Sequence, residues 1–211
     1  MMRKATKKYL WITTISVTLS AIATALFFIV HTTFDDLFRK IPPSGRSYTV
    51  TGTTPPPAEG WITFQPEKET FVLATPGVPE CIVRELPLPR KQKTLLKEFR
   101  SSDGAITASI SYVVLPSLLR GLHGDAVLKV AMKIVLRQHR DSVLIGQGKN
   151  LFKSLPALDY EYYFADREVM GTLILARDRI YGLEVNYPTS ERKKASETFR
   201  RFIDSFEPEL S

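Results

Sequence analysis

Residues 9–30 run for 22 consecutive positions without a charged side chain. As a helix rising about 1.5 Å per residue, such a run spans ~33 Å, enough to cross a hydrocarbon core of ~30 Å. Lipid offers the backbone no hydrogen-bond partners, so an inserted segment of this length must be helical. Tyr9 and Trp11 stand at its entry, where amphipathic rings favour the headgroup region. Arg3, Lys4, Lys7 and Lys8 precede it, and the positive-inside rule keeps such a segment in the cytoplasm. The expectation is a single-pass signal anchor in a bacterial cell membrane. Residues 1–8 would be cytoplasmic, residues 9–30 would lie in the bilayer, and the rest would be extracytoplasmic, in the periplasm. Ser20, Ala21 and Ala25 form a small-residue face against which another membrane subunit's helix can pack closely. Cleavage as a signal peptide is the rival reading, because Ala21-Ile22-Ala23 has the small-x-small form. The apolar run continues past that point through Leu26-Phe27-Phe28-Ile29-Val30, which favours retention.

The basic start also explains much of the charge. Of 29 Lys and Arg residues, four lie in the first eight positions, leaving 25 against 22 acidic side chains, or +3. The pI near 9.5 is thus partly a targeting signal, and no nucleic acid partner is expected. Cys81 is the one cysteine of the 211 residues, so no internal disulfide and no Cys-based zinc site can form. Residues 31–60 carry Pro42, Pro43, Pro55, Pro56 and Pro57 with Gly45, Gly52 and Gly60. Thr53-Thr54-Pro55-Pro56-Pro57 favours an extended, semi-rigid spacer, and this segment reads as a linker.

The composition changes at Trp61, where a globular domain over residues 61–211 is expected. Apolar clusters at Trp61-Ile62-Thr63-Phe64 and Phe71-Val72-Leu73 precede a turn at Pro76-Gly77. Residues 94–100 and 105–115 flank Ser101-Ser102-Asp103-Gly104, and Asp-Gly between strand-like runs predicts a hairpin turn. Ile106, Ala108, Ile110, Tyr112 and Val114 alternate with Thr107, Ser109 and Ser111, as a half-buried strand does. Over residues 125–140 the period becomes helical, with Val127, Val130, Ala131, Ile134 and Val135 on one stripe. Strand patterns return at 143–147, 158–165, 169–177 and 179–187, with a turn at Arg177-Asp178-Arg179. A last helix begins at Pro188-Thr189-Ser190-Glu191 with a capping hydroxyl. It buries Ala195, Phe199, Phe202, Ile203 and Phe206, and stops at Pro208. This order predicts an α+β domain, an antiparallel sheet flanked by helices.

Two stretches resemble a known family. Trp61-x-x-Phe64 followed by Phe71-Val72-Leu73-Ala74-x-Pro76-Gly77-Val78-Pro79 resembles the start of extracytoplasmic domains related to PsbP, the extrinsic subunit of photosystem II. Arg179-Ile180-Tyr181-x-Leu183-x-Val185 and Phe202-Ile203-x-Ser205-Phe206 are similar to that family's last hairpin and closing helix. The resemblance covers roughly residues 61–207 and rests on core and turn positions. It implies an α/β/α sandwich and a non-catalytic accessory or assembly role in a larger photosynthetic or respiratory membrane complex, and it transfers no site residue. The retained anchor is a departure from the photosystem subunit.

No chemistry is expected beyond binding. His31, His123 and His139 lack the spacing of a two-His metal motif. Gly146-Gln147-Gly148-Lys149-Asn150 fails as a phosphate loop, because Val143 and Asn150 stand where Gly and Ser or Thr are needed; it reads as a turn after a strand. Pro43-Ser44-Gly45 is no nucleophile elbow, and Cys81 beside Ile82-Val83 reads as a small apolar core residue. No enzyme, cofactor or metal is therefore expected. One charge pattern stands out: Lys129, Lys133 and Arg137 recur every four residues, with Arg140 further along. Such a row can meet anionic headgroups or an acidic partner. Among the aromatic residues, Tyr163 faces away from Tyr160 and Tyr162 and is the best candidate for exposure.

Overall fold

The computed structural model describes residues 47–49, 60–67, 69–87, 93–115, 119–139 and 141–208. The basic tail, the apolar run with Ser20, Ala21 and Ala25, His31, Pro43-Ser44-Gly45 and Arg140 lie outside them. Among the described residues no helix is long and apolar enough to cross a membrane.

Eleven strands and two helices are described. β1 is Ser47–Thr49, β2 Trp61–Phe64, β3 Phe71–Pro76, β4 Glu80–Pro87, β5 Lys93–Asp103 and β6 Ile106–Val114. Helix α1 is Gly124–Gln138. Then come β7 Val143–Phe152, β8 Leu155–Phe164, β9 Arg167–Ala176 and β10 Arg179–Pro188, a 3-10 turn at Thr189–Glu191, helix α2 Arg192–Asp204 and β11 Glu207–Pro208. Eight strands form one sheet in the order β1-β4-β5-β6-β10-β9-β8-β7, and β11-β3-β2 form a second. All described pairings are antiparallel. The domain is α+β, an antiparallel sheet flanked by helices.

Alternation along the central strands puts one helix on each face. On β9, Met170, Ile174 and Ala176 join a core with Ala195 and Phe202 of α2. Val169 and Leu173, the intervening positions, join Val127, Leu128, Ala131 and Met132 of α1. β8 divides in the same way: Leu158, Tyr160 and Tyr162 belong to the α1 side, Ala157 to the α2 side. The small sheet closes the α2 side, where Phe71 meets Phe99, Tyr112 and Tyr181 edge-on at 5.8–6.1 Å between ring centroids. Ser47–Thr49, within the stretch that reads as linker, pairs with β4 through Ser47↔Arg84.

Several sequence expectations need correcting. The β5–β6 turn is Gly104-Ala105, not Asp103-Gly104, because Asp103 still pairs with Ile106. Gly104 takes φ +61°, and a two-residue turn with glycine first is a favoured hairpin geometry. The α1 stripe is rotated: Leu128 and Met132 are buried, while Val130 and Ile134 lie half-exposed. β-branched residues at helical spacing marked the helix correctly but not the face that the sheet covers. Gly146 to Asn150 are not a turn; they lie inside β7 and pair with β8. Neither the 3-10 turn nor α2 has a side-chain cap, so the Thr189 and Ser190 hydroxyls do not start the helix. α2 ends at Asp204, four residues before Pro208, which pairs with Phe71 in β11. Val114 is exposed at its strand end, and Phe199 is only half-buried.

The β7–β8 hairpin turns on Lys153 and Ser154, both left-handed at φ +47° and +71°. Neither has the Asn-Gly or Asp-Gly signature, so the sequence does not announce this turn. A non-glycine residue there costs about 1–2 kcal/mol. Ser154→Gly is expected to raise stability by up to ~1 kcal/mol, read from the denaturant midpoint. Phe202, 1% exposed, gives the opposite test. Phe202→Ala should lose ~3–5 kcal/mol, and Phe199→Ala clearly less, in the same measurement.

Candidate functional site

Helix α1 carries three residues of the cationic row. Lys129, Lys133 and Arg137 are exposed, and Val127, Leu128, Ala131 and Met132 fix the opposite face against β8 and β9. The helix begins after His123, whose Nδ1 accepts from the Asp125 N–H at 3.4 Å. Histidine here is thus a capping residue. Asp125 is the one acid of the helix. Lys149 of β7 bonds its carboxylate and holds its pKa below the usual range. The helix thus has no acid of its own left to offset the row.

At the other end of α1, His139 packs against the rings of Phe164 and Tyr162, with centroids 4.7 and 5.5 Å apart. Its pKa is lowered, first by burial and then by Arg84. The macrodipole at a helix C-terminus favours a charged imidazole, and burial overrides it here.

Beyond the part covered by α1, the same sheet face turns polar. Glu98 on β5 is held between two guanidinium groups. Arg84 Nη2 lies 3.2 Å from Oε2, and Arg100 donates from Nε and Nη2 to Oε1 at 3.2 and 2.7 Å. On β10, Glu184 Oε1 accepts from the Tyr160 hydroxyl at 2.6 Å. Burial pushes the Glu184 carboxyl up to about 7, with Glu98 adding to the rise, although the Tyr160 bond favours the charged form. The Tyr160 ring lies over Gly171 of β9, where an added Cβ would stand 2.5 Å from the ring. Any larger residue at 171 would displace that hydroxyl from Glu184. Sequence reasoning missed this cluster because its members alternate along four strands, each as an unremarkable polar position.

The opposite face has its own buried carboxylate. Glu69, between β2 and β3, accepts from Lys97 at 2.5 Å and from the Tyr112 hydroxyl, with Arg179 Nη1 at 3.7 Å. Tyr112 is pushed far above its ordinary pKa, by burial first and then by the Glu69 bond. Cys81 packs on this core half-buried, and burial raises its thiol pKa, which disfavours the reactive thiolate. Among the described residues no group of three or more His, Cys, Asp or Glu is placed to hold a metal ion.

No family model matches the chain, and no curated protein does. Among solved structures, cyanobacterial PsbP from Synechocystis sp. PCC 6803 is similar at 12% identity and TM-score 0.48, over 75% of this chain and 98% of that one. A protein of unknown function, PA94 from Pseudomonas aeruginosa, is similar at 12% identity and TM-score 0.41, over 67% of this chain and 92% of that one.

Glu184 makes stability depend on pH. Its folded pKa near 7 exceeds the unfolded value of about 4.5, so between these values the folded state holds the extra proton. Its contribution is complete below pH ~4.5 and falls as pH rises toward 7. In Glu184→Gln, whose amide oxygen still accepts from Tyr160, the loss of stability across that window should be shallower than in wild type, measured by denaturant unfolding at each pH.

Proposed function

We propose that this chain is a membrane-anchored, extracytoplasmic binding module. It serves as a non-catalytic accessory subunit or assembly factor of a larger photosynthetic or respiratory membrane complex. The observation that carries this reading is the exposed row Lys129, Lys133 and Arg137 on a helix whose other face is buried and whose one acid is already paired. A positive surface of this kind steers and orients an acidic partner. The uncharged run at 9–30 supports the anchor, and the small-residue face supports helix packing inside the bilayer. The PsbP-like motifs at both ends of the domain support an accessory role. Free-standing binding of a small ligand or lipid is the second reading, favoured by the polar half of the α1-side sheet face.

The test separates the two. Lys129, Lys133 and Arg137 are replaced together by Gln, which keeps helix propensity. Ala21 and Ala25 are replaced by Leu in a separate variant. A subunit should lose its native assembly on a mild-detergent gradient in at least one variant, and the charge variant should behave as wild type does in high salt. Wild type and both variants migrating as one small species at every salt concentration would sink the subunit reading. Protease added to right-side-out spheroplasts should digest the domain and spare residues 1–8; protection of the domain would reverse the topology.

A further inference from the structure

Seven large hydrophobic side chains are exposed among the described residues, and four of them, Val143, Leu144, Ile145 and Leu151, lie on β7. A fifth, Tyr163, is the cross-strand neighbour of Val143. Apolar residues scattered singly over a surface need no explanation, but five gathered at one side of a sheet mark a contact surface.

The cationic row of α1 lies beside this strand. At the start of the helix, Asp125 accepts from Lys149 of β7. At its end, His139 packs on Tyr162, the cross-strand partner of Leu144. Helix and strand therefore run side by side in opposite directions. Lys129 stands one turn beyond Asp125, and Lys133 one turn further, so the row begins on the side of the helix nearest β7. It spans about 12 Å from Lys129 to Arg137, alongside the ~26 Å from Val143 to Leu151. The bond to Lys149 neutralises the acid of the helix, and the formal charges of Arg140 and Asp141 cancel just past it.

Aliphatic and tyrosine side chains beside long cationic ones suit an anionic lipid surface. The apolar groups enter the headgroup boundary, the lysine stems lie along it, and the ammonium groups meet the phosphates. A further strand is disfavoured, because the β7 ladder shifts register between Leu144 and Gly146, and such an irregularity blunts an edge against pairing. A bilayer is fluid and imposes no register. We infer that the β7 edge and the α1 row together seat the domain on a membrane surface rich in anionic headgroups. This inference rests on the reading of the row as a recognition surface, and it names the acidic surface recognised.

For the test, the full chain in mild detergent is mixed with phosphatidylcholine vesicles, with or without roughly one-third phosphatidylglycerol, and the detergent is removed. A fluorophore is attached at Leu151→Cys in a Cys81→Ala background. Leu151 is 69% exposed, so the fold should tolerate the change; Val143→Cys, at 63%, is the second probe should the first variant fail to fold. Glu197→Cys, exposed on α2 across the sheet from α1, is the control. In the phosphatidylglycerol vesicles, nitroxide-bearing lipid should quench the Leu151 probe severalfold more than the control. Replacing Lys129 and Lys133 by Gln, or raising the salt, should bring quenching down to the level seen in phosphatidylcholine alone. Quenching no greater than at the control overturns the proposal. So does quenching that neither the charge of the lipid nor the two lysines alter. If the lysine variant instead loses its native assembly on a detergent gradient with quenching unchanged, the row belongs to a protein partner, and the lipid proposal falls while the subunit reading stands. Flotation with pure phosphatidylcholine vesicles reads the anchor separately. A chain that does not float there lacks the anchor, and its binding to the anionic vesicles still decides this proposal.

Discussion

Seven consecutive residues of β9, Glu168 to Ile174, are buried, although their side chains point alternately to opposite sides. This two-sided burial positions the other elements. Met170 and Ile174 need a cover on one side, and α2 with the small sheet supplies it. Val169 and Leu173 need one on the other, and α1 supplies it. Each such side chain stabilises the fold by about 1.5–3 kcal/mol when fully buried. β10 repeats the arrangement, with Tyr181, Leu183, Val185 and Tyr187 toward α2 and Ile180 toward α1. Where a ring crosses the sheet surface, the strand beneath gives up its side chain, as Gly171 does under Tyr160.

A sheet closed on both sides also buries carboxylates, and each is held by donors from neighbouring elements. Glu168 shows what this achieves. The Tyr187 hydroxyl donates to it at 3.0 Å, and Arg192 in the first turn of α2 bonds the same oxygen. Arg192 also reaches Glu161 on β8 at 2.9 Å. α2 lacks a side-chain cap, so this one guanidinium fastens its start to two strands. Removing one partner of such a pair leaves a buried charge unpaired, which costs far more than an exposed pair contributes. Glu69 and Glu168 are therefore joints of the fold that link separate segments of the chain, whereas Glu98 ties the neighbouring strands β4 and β5.

The architecture was legible where burial is one-sided or turns carry their own chemistry. Ile106, Ala108, Ile110 and Tyr112 alternate in sequence and are buried together. Leu158, Tyr160 and Tyr162 behave likewise, and Arg177-Asp178 turns as read, with Arg177 at φ +54°. Errors arose where tertiary context decides. α1's covered face depends on where the sheet sits, and helical spacing alone does not distinguish Val130 and Ile134 from the buried Leu128 and Met132. Gly146 and Gly148 carry a turn composition, but pairing with β8 keeps them extended. Of the site, the row Lys129, Lys133 and Arg137 was legible because helical spacing is local. The Glu98 and Glu184 cluster was not, because only strand register brings β4, β5, β8 and β10 together.

What remains open to partners follows from the same closure. With both faces of β9 and β10 covered, the outer face of α1 and the edge of β7 are among the surfaces of the described residues that the core does not use. Lys149 of β7 and Asp125 of α1 form an ion pair there, with side chains 62% and 38% exposed. An exposed pair of this kind contributes little to stability. Its effect is on charge: it cancels the single cation of β7 and the single acid of α1 together. The row Lys129, Lys133 and Arg137 is thereby left without an unpaired acid on its own helix.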